Sequence, residues 1–381
     1  MANLSKSAAI VGVAESDEIG RIENKSNLQH HAEAAYNALE DAGLSIKDVD
    51  GLMTAGTSTI NLGEYLGIQP TFTDTTAVGG SSFIIHIAHA LAAINAGYCE
   101  TVLVTHGEAG RSARDRAGAN ASDPGPQYEI PYGFIGAPIN YAMAARRYMH
   151  EYGEDRTRQA MAEIAVATRK WANMNPKAYM HDQPMSFDEY HDSRWISWPF
   201  HLFDCCLVTD AGGAYVITTP ERARDLKKKP VWVLGAGEGH DHGILSQMPN
   251  MTSTWARNSG PAAMKMAGVT HDDIDLAMIY DSFTYTVLVT LESLGFCNPG
   301  EGPEFVANQR TAPGGEFALN TSGGGLSYTH SGMYGMFLVL EAVRQLRGET
   351  GERQLDSPKL SLVHGTGGSL SSTGTVILGV D

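Results

Sequence analysis

Residues 78–82, Val-Gly-Gly-Ser-Ser, form a turn of small residues that opens directly into the apolar run Phe83–Ala96. A side chain in such a turn sits at a helix N-terminus, where free N–H groups and the helix dipole favour an anionic nucleophile. The only nucleophiles on offer there are the hydroxyls of Ser81 and Ser82. A serine needs a neighbouring base before it attacks, and serines at this place also serve as ordinary helix caps. His240-Asp241-His242 has ligand-type side chains, but three consecutive residues cannot all turn toward one ion, so a solvated turn and no metal site are expected. Gly235-Ala236-Gly237-Glu238-Gly239 follows a strand-like run yet lacks the glycine spacing and the following helix of a dinucleotide fingerprint. Cys99, Cys205, Cys206 and Cys297 show no metal-ligand spacing, and adjacent Cys205 and Cys206 are poorly placed to bridge each other.

The elements that would position these residues alternate. Ala8–Val13 reads as a buried strand, Leu28–Ala42 as a helix stopped by Gly43, Gly51–Thr57 as a strand, Phe83–Ala96 as a helix stopped by Gly97, and Glu100–Thr105 as a strand. Helices alternating with buried strands imply a layered α/β fold. Ala38–Leu52 aligns without gaps on Ala263–Ala277 with five identities in 15 positions, and Val104-Thr105-His106-Gly107 echoes Leu362-Val363-His364-Gly365. Two matches in the same order favour an internal duplication. The expected division is a first half over 1–109, continued by about 200–235, and a second half over 236–381. Residues 110–199 read as an insertion for substrate, with a structureless start, helices over Ala137–Tyr152 and Thr157–Trp171, and a composition rich in Met, Tyr, Trp, Asn and Pro. Val231–Gly235 reads as a strand.

The chain has 381 residues, 43% of them apolar, enough for a large core, and 27 basic against 43 acidic side chains give a formal charge of −16. That balance argues against a nucleic-acid or membrane-surface binder, so an anionic ligand needs a local basic patch. The N-terminal stretch lacks the features of a signal peptide, and no apolar run is long enough for a membrane span, so a reduced, cytoplasmic protein is expected.

Four stretches occur in one order: "FDCCLVTDAGGAYVI" (203–217), "YDSFTYTVLVTLESLGFC" (280–297), "GGGLSYTHSGMYG" (323–335) and the closing "VHGTGGSLSSTGTVILG" (363–379). With the duplication and the nucleophile-like turn, they make the chain resemble the thiolase superfamily from end to end, most closely the sterol-carrier-protein type. The resemblance implies a duplicated five-layered αβαβα fold with the helices Phe83–Ala96 and Met333–Leu346 buried between two sheets. It also implies acyl-CoA substrates, with coenzyme A entering as part of the substrate and no tightly bound cofactor, and a homodimer formed through an edge strand near Thr101–His106.

Three departures define what chemistry remains. The family's cysteine nucleophile falls on Gly80, leaving Ser81 as a weak substitute, and the missing side chain is expected to leave room. Tyr280 stands at the histidine of the family's His-Asp-Cys-Phe segment, and Ser282 at its cysteine. His330 matches the histidine of the family's Gly-His-Pro segment, with Thr329 and Ser331 as its neighbours, while Asn320, Gly324 and Tyr334 are expected to shape the oxyanion wall. His364 falls where other thiolases present a proton-shuttling cysteine, although His106 repeats it in the first half. Arg111, Arg114, Arg116, Arg169 and Lys170 are expected near the CoA phosphates.

An enolate-stabilising pocket without a nucleophile suits retro-aldol cleavage of a β-hydroxyacyl-CoA, or its reverse, in which a base takes the β-hydroxyl proton and fixed donors hold the enolate. This resembles thiolase-like aldolases that work with a small OB-fold and zinc-ribbon partner. Two other readings stand beside it: an acyltransferase working directly or through Ser81, and a non-catalytic thiolase-like subunit that scaffolds such a partner.

Overall fold

The first half is read off a computed structural model that describes residues 4–113 and 122–381. It runs β1 (Ala9–Glu15), α1 (Asn27–Ala42), β2 (Gly51–Met53), α2 (Thr59–Leu66), β3 (Phe72–Asp74), α3 (Ser82–Asn95) and β4 (Thr101–Ala109). Then come α4 (Pro124–Tyr128), α5 (Ala137–Tyr152), α6 (Glu154–Asn173), α7 (Phe187–Asp192), β5 (Trp195–Ser197) and β6 (Phe200–His201), before β7 (Asp210–Thr218) returns to the main sheet. After α8 (Pro220–Asp225) the second half repeats the series as β8 (Val231–His240), α9 (Ala256–Ala267), β9 (Leu276–Ile279), α10 (Thr284–Leu294), α11 (Gly302–Val306), β10 (Ala318–Leu319), α12 (Gly335–Arg347), β11 (Leu360–Gly367) and β12 (Ser372–Gly379).

The duplication is visible in the strand order. The first half is ordered β3-β2-β4-β7-β1 and the second β10-β9-β11-β12-β8, so each runs third, second, fourth, fifth, first in its own sequence, with the fifth strand antiparallel to both neighbours. The two five-stranded sheets join at one edge through the pairs Ala9–Trp232 and Ile10–Val231. Both α3 and α12 contact strands of both sheets, and their side chains form one core with Ile10, Val104, Tyr215, Met278 and Val363. Helix α1 covers the outer face of the first sheet, and α9 and α10 that of the second. This is the five-layered αβαβα arrangement expected from the sequence.

Several local expectations change. The strand from Gly51 ends at Met53 rather than Thr57. The strand from Val231 runs on to His240, and its glycines are part of it: a Cβ on Gly235, Gly237 or Gly239 would lie 2.0 Å from Ala263 O, 2.4 Å from Ser259 O and 1.7 Å from Trp255 Cδ1. Glycine at every second residue lets α9 lie backbone to backbone on β8. The side chains of Asp241 and His242 are tucked in and bonded to each other, with His242 Nε2 2.9 Å from Ser369 O, so this is no solvated turn. The segment read as structureless carries α4 and a 3₁₀ turn over 130–132. Strand β4, expected at a dimer edge, is interior, flanked by β2 and β7; the sheet ends at β3 and β10. No helix among the described residues is long and apolar enough to cross a membrane, and all four cysteines are free.

Candidate active site

Tyr280 follows β9 directly and points into the central helical layer, where it is 4% exposed. Its hydroxyl oxygen lies 2.9 Å from His330 Nε2 and accepts the backbone N–H of Tyr334 at 3.1 Å. Tyr334 is the residue before the first turn of α12, so the phenol oxygen sits at that helix's N-terminus. The ring lies against the start of α3 as well. A Cβ on Gly80 would come within 2.0 Å of Tyr280 Cε2, so the space lost with the family's cysteine is filled by the phenol and not left open. The two helix N-termini themselves touch, since a Cβ on Gly335 would lie 2.0 Å from Gly80 O.

Burial fixes the protonation of the pair. Desolvation raises the Tyr280 phenol well above its ordinary value, against the smaller lowering by the Tyr334 N–H. Desolvation also pushes the His330 imidazole down to about 4. At neutral pH the site therefore presents a neutral phenol, able to donate, beside a neutral imidazole, able to accept a proton. His330 is held by a mutual pair of bonds with Thr209: its N–H donates to Thr209 Oγ1 at 2.9 Å and its carbonyl accepts the Thr209 N–H at 3.1 Å. His106, the repeat counterpart of His364, braces the next residue with Nε2 2.6 Å from Ser331 O.

The other expected residues divide. Asn320 is not in the wall: its Oδ1 accepts the Ile279 N–H at 2.8 Å and its Nδ2 donates to Ile279 O at 2.8 Å, so the amide extends the sheet ladder immediately before Tyr280. It does so from a left-handed backbone, φ 51°, which asparagine tolerates better than most residues. Gly324 is needed for a different reason, since a Cβ there would lie 1.9 Å from Asp281 Oδ2. Tyr334 contributes its backbone; its phenol bonds Ser322 Oγ at 3.1 Å. Ser282 bonds Thr286 Oγ1, 2.9 Å away on α10. His364 lies across the sheet from Tyr280, with Nδ1 2.8 Å from Thr375 Oγ1, which in turn meets Ser259 of α9. Desolvation lowers it to about 3, so it is a neutral core histidine.

Neither serine of the turn is a free nucleophile. Ser81 Oγ is shared with Ser372 Oγ at 2.8 Å and Val78 O at 3.3 Å, and Ser82 Oγ accepts the Val78 N–H and donates to Gly79 O. Neither accepts a bond from the first turn of α3 in the manner of a cap. Of the cations, Arg111 is exposed near the site, with Nη1 donating to Val208 O at 3.1 Å, one residue before Thr209. Arg169 is buried, with Nε donating to Ser327 Oγ and Nη1 to Gln183 O, and lines a separate cavity of about 600 Å³. Lys170 is exposed on α6, and Arg114 and Arg116 fall outside the described residues. Among the described residues no cluster of His, Cys, Asp and Glu could hold a metal ion.

Sequence reasoning missed two contributors. Asp281, next to Tyr280, is fully buried and accepts the Gly325 N–H at 2.7 Å and the Leu326 N–H at 3.2 Å. Tyr141 of α5 donates to Gly368 O at 2.9 Å and packs on Phe283, and it and Cys206 are electrostatic neighbours of Tyr280. Asp281 was legible as a carboxylate inside an apolar run; the approach of Tyr141, which crosses from the insertion, had no local signal.

The family Thiolase C-terminal domain-like matches residues 237–380. Over its whole length the chain is 35% identical to the whole of a steroid side-chain-cleaving aldolase of Thermomonospora curvata. It is 36% identical, over 91% of this chain and 92% of the relative, to a 17-hydroxy-3-oxo-4-pregnene-20-carboxyl-CoA lyase of Mycobacterium tuberculosis. A solved structure described as an Ltp2-ChsH2(DUF35) aldolase superposes with a TM-score of 0.92 at 34% identity, covering 100% of this chain and 99% of that one. A central helical layer between duplicated sheets, a glycine at the cysteine position with the Tyr280 phenol filling its space, and full-length identity above 30% agree: the chain belongs to the thiolase superfamily, among its sterol-carrier-protein-type, aldolase-like members.

Proposed function

We propose that the protein cleaves the bond between the α and β carbons of a β-hydroxyacyl-CoA by a retro-aldol reaction without a covalent intermediate. The observation that carries this reading is the neutral Tyr280–His330 pair at the meeting point of two helix N-termini, beside a residue 80 that has no side chain. His330 takes the β-hydroxyl proton, the α–β bond breaks toward the thioester, and a carbonyl product leaves. Tyr280 donates to the enolate oxygen while the two helix ends stabilise its charge, and the proton held on His330 returns to the α carbon to give the shortened acyl-CoA. The names of the aldolase and lyase relatives support this reading. Acyl transfer through a serine is disfavoured by the engaged hydroxyls of Ser81 and Ser82.

On the same reading Arg111, exposed and bonded to Val208 O, holds a phosphate of the coenzyme, and the segment from α4 to β6 shapes the acyl site. A small partner protein, suggested by the two-component name of the solved neighbour, completes the assembly. The protein acts in the cytoplasm as a homodimer that uses β3 or β10, the strands left at the sheet ends.

The test is mass spectrometry of products from a panel of β-hydroxyacyl-CoA thioesters. Wild type should release a shortened acyl-CoA and a carbonyl compound. Tyr280→Phe and His330→Ala should each lose about 10²-fold or more in turnover, as removal of a donor or an acid–base group does. Accumulation of an acyl-enzyme on wild-type protein would overturn the mechanism.

A further inference from the structure

Asp281 is a buried carboxylate for which no cation lies within ion-pair distance among the described residues, and its partners are the Gly325 and Leu326 N–H groups. A carboxylate kept away from water costs folding free energy unless its bonds do something an apolar side chain could not. What these bonds do is join two chain segments. Asp281 follows Tyr280 at the end of β9, whereas Gly325 and Leu326 belong to a π-helical turn, Gly324–Tyr328, two residues before His330. Gly324 takes φ +61° and has no Cβ, and a Cβ there would strike the carboxylate. The insertion also holds this turn, through Arg169 on Ser327 Oγ and the Tyr179 and Met180 N–H groups on Tyr328 O and Ser327 O, and the 206–207 segment bridges it to Ser282 through the Leu207 N–H on Gly325 O and the Cys206 N–H on Ser282 O; the Asp281 carboxylate makes the direct link from the end of β9 to the turn's N–H groups.

We propose that Asp281 is a positioning residue for the reaction: its carboxylate clamps the 324–328 turn to the end of β9 and so sets the His330 ring against the Tyr280 hydroxyl. The inference rests on Tyr280 and His330 being the reacting pair. Burial pushes the Asp281 carboxyl up to about 7, against the lowering by the Gly325 and Leu326 N–H groups. Protonation puts an O–H where an N–H already points and cancels one arm of the clamp. The titratable groups around it lie elsewhere on the pH scale, Tyr280 and Tyr334 far above and His330 near 4.

The experiment compares kcat, KM and their pH dependence for wild type and Asp281→Asn. Wild type should lose kcat in two steps as pH falls, a partial one near 7 from Asp281 and a complete one near 4 from His330. Asp281→Asn should lower kcat about 10–100-fold at pH 8, leave KM within about 3-fold, and abolish the step near 7. A variant that keeps that step, or loses KM and kcat together, overturns the clamp. If Asp281→Asn does not accumulate folded, 15N-leucine-labelled wild type decides: the Leu326 amide must shift with the same midpoint as the kcat step, and a Leu326 signal unmoved through it overturns the proposal. Should Tyr280→Phe and His330→Ala leave turnover intact, the underlying reading fails whatever Asp281 does; if they abolish it while Asp281→Asn keeps full kcat, only the clamp fails.

Discussion

The Tyr280 ring stands where a side chain at position 80 would have to go: a Cβ on Gly80 would lie 2.5 Å from Tyr280 Cζ and 2.7 Å from its hydroxyl oxygen. A cysteine at 80 and a phenol at 280 therefore exclude each other. Gly80→Cys should lose about 10²-fold or more in carbon–carbon cleavage, because the phenol must leave its bonds to His330 and Tyr334, and it should form no acyl-enzyme. Gly80→Cys combined with Tyr280→Ala frees the volume, and intact-mass analysis after incubation with an acyl-CoA should then detect a thioester on residue 80. Full turnover by the single variant would contradict the packing argument.

Asn320 offers a contrast between holding and reacting. Both ends of its amide are used by Ile279, so Asn320→Ala strands two buried backbone groups and should cost about 2–4 kcal/mol in urea unfolding, with kcat falling because Tyr280 loses its register. A variant with unchanged stability and a large loss of kcat would instead make Asn320 an oxyanion donor.

His364 and the Tyr334 phenol should be nearly silent in catalysis. His364→Gln and Tyr334→Phe are each expected to keep kcat within about 3-fold while losing about 1 kcal/mol of stability with the hydrogen bonds to Thr375 and Ser322. A hundredfold loss of kcat in His364→Gln would place that imidazole in the reaction.

Acid should weaken the fold through Glu15. Burial alone would raise its carboxyl, but Arg344 of α12 and then Lys177 of the insertion outweigh burial and hold it well below the usual carboxylate range. A depressed native pKa contributes stability that is complete above the unfolded value of 4.5 and is lost as pH falls toward the native one. Unfolding free energy should thus fall below about pH 4.5 in wild type and fall less steeply in Glu15→Gln, which itself should cost about 3–5 kcal/mol at neutral pH by leaving Arg344 without its partner. Parallel pH slopes in chemical denaturation would refute the assignment.

The layers were readable because their signals are local. Apolar periodicity with a glycine stop marks α1, and "FIIHIAHALAAI" is apolar on more than one face because α3 has a sheet on either side. The glycines of β8 misled because their reason is α9, some 20 residues later in the chain, and a glycine spacing says nothing about which backbone approaches. Strand β4 was placed at an edge because strand neighbours are a property of topology, not of residue type. In the site, Tyr280 and His330 were found through motifs that span each of them. The grip of Asn320 on Ile279, the exile of His364 to the far face and the filled space beside Gly80 are all contacts between distant segments, and no window of sequence contains them.

The repeat brings the first turns of α3 and α12 together, Gly80 against Gly335, with both N-termini aimed at one spot. Each helix end carries roughly half a positive charge, so the arrangement resembles two magnets held with like poles facing. The resting molecule is tense at its centre, and a neutral phenol oxygen only partly relieves it. An enolate oxygen, as the proposed reaction forms it, would offset more of that opposition. On the proposed reaction, the stage at which the substrate is least stable in water would then be the stage at which the protein's own middle layer is most at ease, and departure of the product, neutral at its thioester group, would restore the opposition of the two poles for the next turnover.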